Sequence, residues 1–309
     1  MENNTELSAE TARIESRRQL INWILLISCA VIWGFSYFLI KHALVGFEPM
    51  EVAGIRMFAG GIALLPFLYQ AFKKIPYNKY FWIFVCSLIG SGIPIYLYPL
   101  AQTHISSSVT GIINSLTPLF TFMIGVLFFK MKNHYLKVIG VVLGLFGAIA
   151  LVVFKPSADF SGDGLFFLIA LSVPVMYGFS SNILKRHLQG LPSLPLTSLM
   201  YFMLLIPAAF YLYHINILEK INTNTESLHA LPYAVLLGVF GTAVAMSLFN
   251  ILIQRTQIMF AASVTYLMPV VAVFIGFVDH ETISWYHMLG LSLILVGVIL
   301  INRAKEKVA

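Results

Sequence analysis

The chain has 309 residues, of which 59% are hydrophobic and only 10% charged. Soluble domains carry about 25% charged residues, so an ordinary soluble protein is excluded. The formal net charge is +6, and the only two cysteines, Cys29 and Cys86, lie inside apolar runs with no Cys/His cluster, which argues against a disulfide framework and a metal site.

Residues 1–19 are polar and mixed in charge and read as a solvated tail. The run Leu20 to Ile40 is too long for a signal-peptide core and lacks a small-residue cleavage site, so it reads as a retained membrane helix. Ten apolar spans follow one another at 20–41, 50–72, 80–101, 105–129, 135–154, 163–184, 195–214, 230–253, 258–278 and 285–302. Each is near the length of about 20 residues that a bilayer requires. Connections are short. The longest, from His214 to His229, reads as an ordinary polar loop, and residues 304–309 form a short tail.

Lys and Arg set the orientation. With the N-terminus in the cytoplasm, 15 of these 19 residues fall on the inside, three (Lys41, Lys155 and Lys220) outside, and Arg56 within the second span. That bias predicts ten spans with both termini cytoplasmic.

The fourth span carries a polar stripe. Thr110, Asn114, Thr117 and Thr121 are spaced to share one helical face. Pro118 has no N–H, so the carbonyl of Asn114 is expected to lose its helical partner. Bare carbonyls at membrane depth are tolerated only against protein or a water-filled cavity. The ninth span repeats the pattern, with Pro269 and Gly276 where the fourth has Pro118 and Gly125, and Thr265 in the place of Asn114.

Other marks recur in the same order. Trp33-Gly34-Phe35-Ser36 followed by Lys41 returns as Tyr177-Gly178-Phe179-Ser180 followed by Lys185. Gly90 corresponds to Gly241, and Gly140 and Gly147 to Gly290 and Gly297. The two halves, 20–155 and 160–303, hold five spans each, and an odd number makes them enter the membrane from opposite sides. The expected fold is an all-α integral membrane protein with ten transmembrane helices arranged as two inverted five-helix repeats. This plan recurs in secondary transporters, with the site at mid-membrane between the repeats.

These marks together resemble the EamA family of the drug/metabolite transporter superfamily. Arg56 in IRMFAGG resembles the arginine of that family's second helix, and Glu281 the glutamate after its ninth, whereas Lys130 stands where the first repeat often has a glutamate. The resemblance implies export of small metabolites, amino acids among them, across the cell membrane.

The residues themselves narrow the chemistry. All carboxylates and histidines lie in tails, loops or near span ends. Intramembrane carboxylates usually mark proton relays or cation sites. Their absence at mid-depth argues against an exchanger of organic cations and against a membrane enzyme, which needs positioned acid–base groups. No phosphate-binding loop of the G-x-x-x-x-G-K-[ST] type occurs. What remains at mid-depth is neutral, polar and aromatic. Trp33, Ser36, Tyr37, Tyr96, Thr110, Asn114, Tyr177, Ser181, Asn250, Thr265 and Tyr266 are the candidate substrate-binding residues. Such groups suit a neutral or zwitterionic solute, although about half are expected to be interhelical glue.

Arg56 has two readings: it snorkels or pairs with Glu48 or Glu51, or it anchors a substrate anion. Lys41 and Lys185 read as interface anchors, and the stripe Gly140, Gly144 and Ala148 as close packing within the chain, or in a homodimer. The expected function is a secondary transporter working by alternating access, needing no cofactor. Its expected partners are a small-molecule substrate and the lipid bilayer, and not nucleic acid. The alternatives are an exchanger of phosphorylated solutes and a non-transporting membrane sensor or partner subunit.

Overall fold

The computed structural model describes residues 2–102, 104, 110, 113–131, 134–153, 164–268, 270–271 and 285–303, and the described elements are all helical. They are α1 (Glu2–Ala43), α2 (Pro49–Lys74), α3 (Tyr77–Ala101), α4 (Thr117–Phe129), α5 (Tyr135–Val153), α6 (Gly164–His187), α7 (Ser193–His214), α8 (Ile217–Thr223), α9 (Thr225–Arg255), α10 (Ile258–Met268) and α11 (Trp285–Arg303). Among the described residues, six of these helices are long and apolar enough to cross a membrane, and four shorter apolar helices join them. Pro269, Gly276 and Glu281 lie outside the described residues.

Helix α1 begins at Glu2, so the polar stretch before the first span is helical, and its residues 13–20 are exposed. One expectation is corrected. The 214–229 connection is not a loop. Residues 217–223 form α8, and Asn224 caps α9, its Oδ1 accepting from the N–H of Glu226 at 2.8 Å and of Ser227 at 3.3 Å. An Asn at this place satisfies N–H groups that otherwise have no intrahelical partner. In α2 the third residue, Glu51, reaches back to accept the N–H of the N-cap residue Glu48 at 2.8 Å, and also takes Lys220 Nζ at 2.6 Å, which ties α8 to α2.

The basic face of the bundle carries Lys74, Lys79, Lys185 and Arg255 at its helix ends, while Ala43, Pro49 and His214 lie at the opposite face. The core differs between them. Toward the basic face one apolar cluster joins α1, α2, α3, α6, α7, α9, α10 and α11, with Leu26, Ile83, Leu188, Leu196, Phe260 and Ile301 all buried in it. At the opposite face the described core is split. Leu39, Phe47, Val52, Leu212, Ile217 and Ala234 form one cluster on α1, α2, α7, α8 and α9. Ala101, Ile113 and Ala170 form another on α3, α6 and the approach to α4.

Close crossings use glycine, where backbones approach within side-chain distance. A Cβ on Gly140 would stand 2.7 Å from the carbonyl of Gly297, and one on Gly147 2.7 Å from that of Gly290. This pair locks α5 against α11, and Tyr266 fills the space beside Gly144, so Gly140 and Gly144 are used inside the chain. The contacts come in matched pairs. Ser36 of α1 packs on Gly241 of α9, and Ser180 of α6 packs on Gly90 of α3. Gly34 packs on Val271, and Gly178 on the Phe120 backbone of α4.

Filling such a crossing is expected to destabilise the fold. Gly297→Val pushes new atoms onto Gly140, where a Cβ already stands 2.6 Å from the carbonyl. Overpacking of this kind costs about 1–3 kcal/mol. Gly164→Val, which meets nothing within 4 Å, is the control. Thermal unfolding in detergent should show a lower Tm for the first and an unchanged Tm for the second.

Candidate functional site

A cavity of about 440 Å³ lies between α1, α2, α3, α4, α6, α7, α9 and α10. It reaches Leu44 and Pro49 at the opposite face and stops at Leu184 and Ile253 toward the basic face. This follows from the split core: apolar packing seals one end and leaves a cleft at the other.

Its wall is built around two π-helical turns, Leu88–Gly92 in α3 and Val239–Val244 in α9. They sit at corresponding positions around Gly90 and Gly241. A π turn widens the helix by one residue and redirects its carbonyls, and such turns are frequent at functional sites. In α9 the Ala245 N–H turns back to Phe240 and Thr242 rather than to Gly241. The Gly241 carbonyl instead accepts from Trp33 Nε1 at 2.9 Å and Arg56 Nη2 at 3.2 Å. Arg56 Nε also donates to Thr242 Oγ1 at 2.8 Å. The guanidinium is thus fixed at the cavity wall by neutral acceptors. Arg56 is the one charged side chain lining the cavity among the described residues.

The remaining wall is neutral. Tyr98 donates its hydroxyl proton to Asn114 Oδ1 at 3.0 Å, and Ser91 Oγ pairs with Tyr201 OH at 2.8 Å. Near the floor, Asn250 Nδ2 donates to Thr197 Oγ1 at 2.9 Å. Thr197 spends its own proton on the Ser193 carbonyl at 2.8 Å, which fixes the orientation of the Asn250 amide. Trp33, Tyr177, Met200, Met246 and Phe249 supply the apolar surface. No group of three metal-ligating side chains occurs among the described residues.

The sequence profile of the EamA-like transporter family matches this chain twice, over residues 21–153 and 164–303. The chain belongs to the EamA-like transporter family. An uncharacterized inner membrane transporter of Escherichia coli K12, YedA, is 27% identical over 283 residues, which is 89% of this chain and 88% of the relative. A probable amino-acid metabolite efflux pump of Salmonella typhimurium is 22% identical over 286 residues, 86% of this chain and 90% of that one. A solved crystal structure superposes with a TM-score of 0.71 at 16% identity, covering 92% of this chain and 96% of that one, and shows the same fold. Together with its apolar helices, this makes the EamA-like chain a multi-pass membrane protein.

Of the residues singled out in the EamA-like sequence, Trp33, Ser36, Arg56, Thr110, Asn114, Tyr177, Ser181, Asn250 and Thr265 line the cavity. Tyr96 and Tyr266 do not. Tyr96 packs edge-on against Tyr211, with ring centres 6.1 Å apart. Tyr266 is fully buried and donates to the Val141 carbonyl at 3.0 Å. The Tyr37 side chain lies outside the described residues. The carbonyl of Asn114 is not bare, because Thr117 Oγ1 donates to it at 2.7 Å. Thr121 is fully buried, bonds the Thr117 carbonyl and leaves the cavity wall. Glu51, expected beside Arg56, is held by Lys220 instead. Ser91, Tyr201 and Thr242 were missed as site residues, and the π turn that brings Thr242 inward has no sequence signature.

The doubly held carbonyl makes a specific prediction. Trp33→Phe or Arg56→Met alone leaves the Gly241 carbonyl one donor, so each should cost little through that bond. Removing both leaves a buried carbonyl unpaired, a loss of about 1–3 kcal/mol. In a double-mutant cycle read by thermal unfolding, the double variant should lose more than the sum of the singles.

Proposed function

We propose that this chain is a secondary transporter, not an enzyme. It carries small neutral or zwitterionic metabolites, amino acids among them, by alternating access across the cell membrane. The cavity carries the reading. Its volume falls within the range of small-molecule sites, and its wall is mostly apolar and aromatic with a few fixed polar groups. A single guanidinium suits one carboxylate, whereas a phosphate ester with two negative charges calls for several cations. The name of the Salmonella relative, an amino-acid metabolite efflux pump, supports the same class.

Ten spans in two inverted five-helix halves underlie this mechanism. The paired contacts support the arrangement. Gly140 touches Gly297 and Gly147 touches Gly290, which is what a two-fold axis exchanging the halves requires of corresponding residues. The exchanges of Ser36–Gly241 with Ser180–Gly90, and of one π turn with the other, support the same axis. The basic face is cytoplasmic by the positive-inside rule, so the cavity opens to the outside in the conformation described.

The test is flux in liposomes containing the purified chain, with a panel of radiolabelled amino acids and phosphate esters. Amino-acid flux without phosphate-ester exchange is expected. Phosphate-ester exchange, or no flux of any solute, contradicts the reading. Asn114→Ala should then weaken apparent affinity for the transported amino acid by up to about tenfold, the equivalent of one hydrogen bond of about 0.5–1.5 kcal/mol. Thr121→Val, off the cavity wall, should leave affinity unchanged and lower thermal stability instead.

A further inference from the structure

Two lysines occupy corresponding places in the repeat and are in opposite states. Lys185 stands five residues after Ser180 at the end of α6, and Lys41 five after Ser36 at the end of α1. Lys185 Nζ donates to the carbonyls of Ile253 at 2.9 Å, Gln254 at 3.5 Å and Thr256 at 2.7 Å. These are among the last carbonyls of α9, which have no partner further along their own helix. An ammonium has three protons to give and also meets the negative end of the helix dipole there. Lys41 is exposed, and makes no hydrogen bond or ion pair among the described residues.

The difference follows the split in the core. At the opposite face α6 packs with α3, and α9 packs with α1, in separate clusters. Lys185 therefore joins the two groups of helices across the basic face, where the core is continuous. Lys41 sits on the other group at the face where the clusters stand apart. Its counterpart acceptor is on α3: Gln102 lies twelve residues beyond Gly90, as Ile253 lies twelve beyond Gly241.

We propose that Lys185 and Lys41 are alternating latches. Lys185 closes the basic face in the conformation described. In the converse conformation Lys185 releases the end of α9, and Lys41 takes the carbonyl of Gln102, just past the end of α3, and closes the opposite face. This rests on the alternating-access reading and adds the groups that hold each end shut. Interface anchoring, the reading from sequence, predicts neither the carbonyl partners of Lys185 nor the contrast with Lys41.

The test reads accessibility and uses no solute, so it stands apart from the flux assay. Leu44→Cys reports the mouth at the opposite face, where Leu44 is 40% exposed, and Leu188→Cys reports the basic face, where Leu188 is fully buried. The native Cys29 and Cys86 are buried. Labelling of each introduced thiol by a polar maleimide is followed on full-length protein in detergent. Adding Lys185→Met should raise the rate in the Leu188→Cys background and lower it in the Leu44→Cys background, each at least tenfold. Lys185→Arg, which keeps the donors, should retain the parental rates. Lys41→Met should leave the Leu44→Cys thiol as reactive as before, or more so. Unchanged rates at either position in Lys185→Met, a rise at both, or a fall at the opposite-face position in Lys41→Met overturns the proposal. Absent flux with these shifts intact would fault the transport reading and leave the latches standing.

Discussion

The carbonyl of Gly241 is the point on which the cavity wall depends. A membrane helix has no water to satisfy a backbone group that leaves its ladder. The π turn at Val239–Val244 diverts the Ala245 N–H, and Trp33 and Arg56 meet the Gly241 carbonyl from two other helices. One backbone irregularity thereby fixes three helices and the only guanidinium on the described cavity wall. Gly241 allows this because Ser36 of α1 lies where its side chain would be. The same logic runs through Gly90 and Ser180, around the other π turn.

Small residues and polar ties divide the work in this bundle. Where helices cross most closely, glycine lets backbones touch, as at Gly140 and Gly297. Between the two groups on either side of the cleft, contacts at the basic face are apolar packing plus polar bonds from side chains to helix ends. Lys79, which donates to the His187 carbonyl at 2.9 Å, binds α3 to α6 within one group. Ser227, which donates to the Gly46 carbonyl at 2.7 Å, binds α9 to the end of α1 within the other. These two bonds lie near the start of the two helices that carry the π turns, on opposite faces of the bundle.

Much of the cavity was legible in the sequence, because polar residues at mid-depth in apolar spans are few and each needs a partner or a solvent-filled space. Trp33, Asn114, Tyr177, Asn250 and Thr265 were found in this way and line the cavity. Tyr266 misled because a tyrosine hydroxyl in a membrane reads alike whether it meets a solute or the Val141 carbonyl. Asn114 misled in part, since Pro118 does remove an N–H but Thr117 replaces it from within the same turn. Helix α8 was lost because its seven residues run straight into Asn222-Thr223-Asn224-Thr225, which has the composition of a loop. The π turns were invisible because they change which carbonyls pair, and not which residues are apolar.

Alternating access requires two bodies that close one end of the cavity while opening the other. Distances between spin labels measure this directly in liposomes. One pair, on Leu44 and Leu100, spans the cleft at the opposite face, and the other, on Gln19 and Gln189, spans the basic face, all at positions exposed in the structure. Pulsed dipolar spectroscopy with and without added amino acids should give two distances for each pair. Any condition that shortens the Leu44–Leu100 distance should lengthen the Gln19–Gln189 distance. A single unchanging distance at both pairs, or both pairs lengthening together, would contradict it.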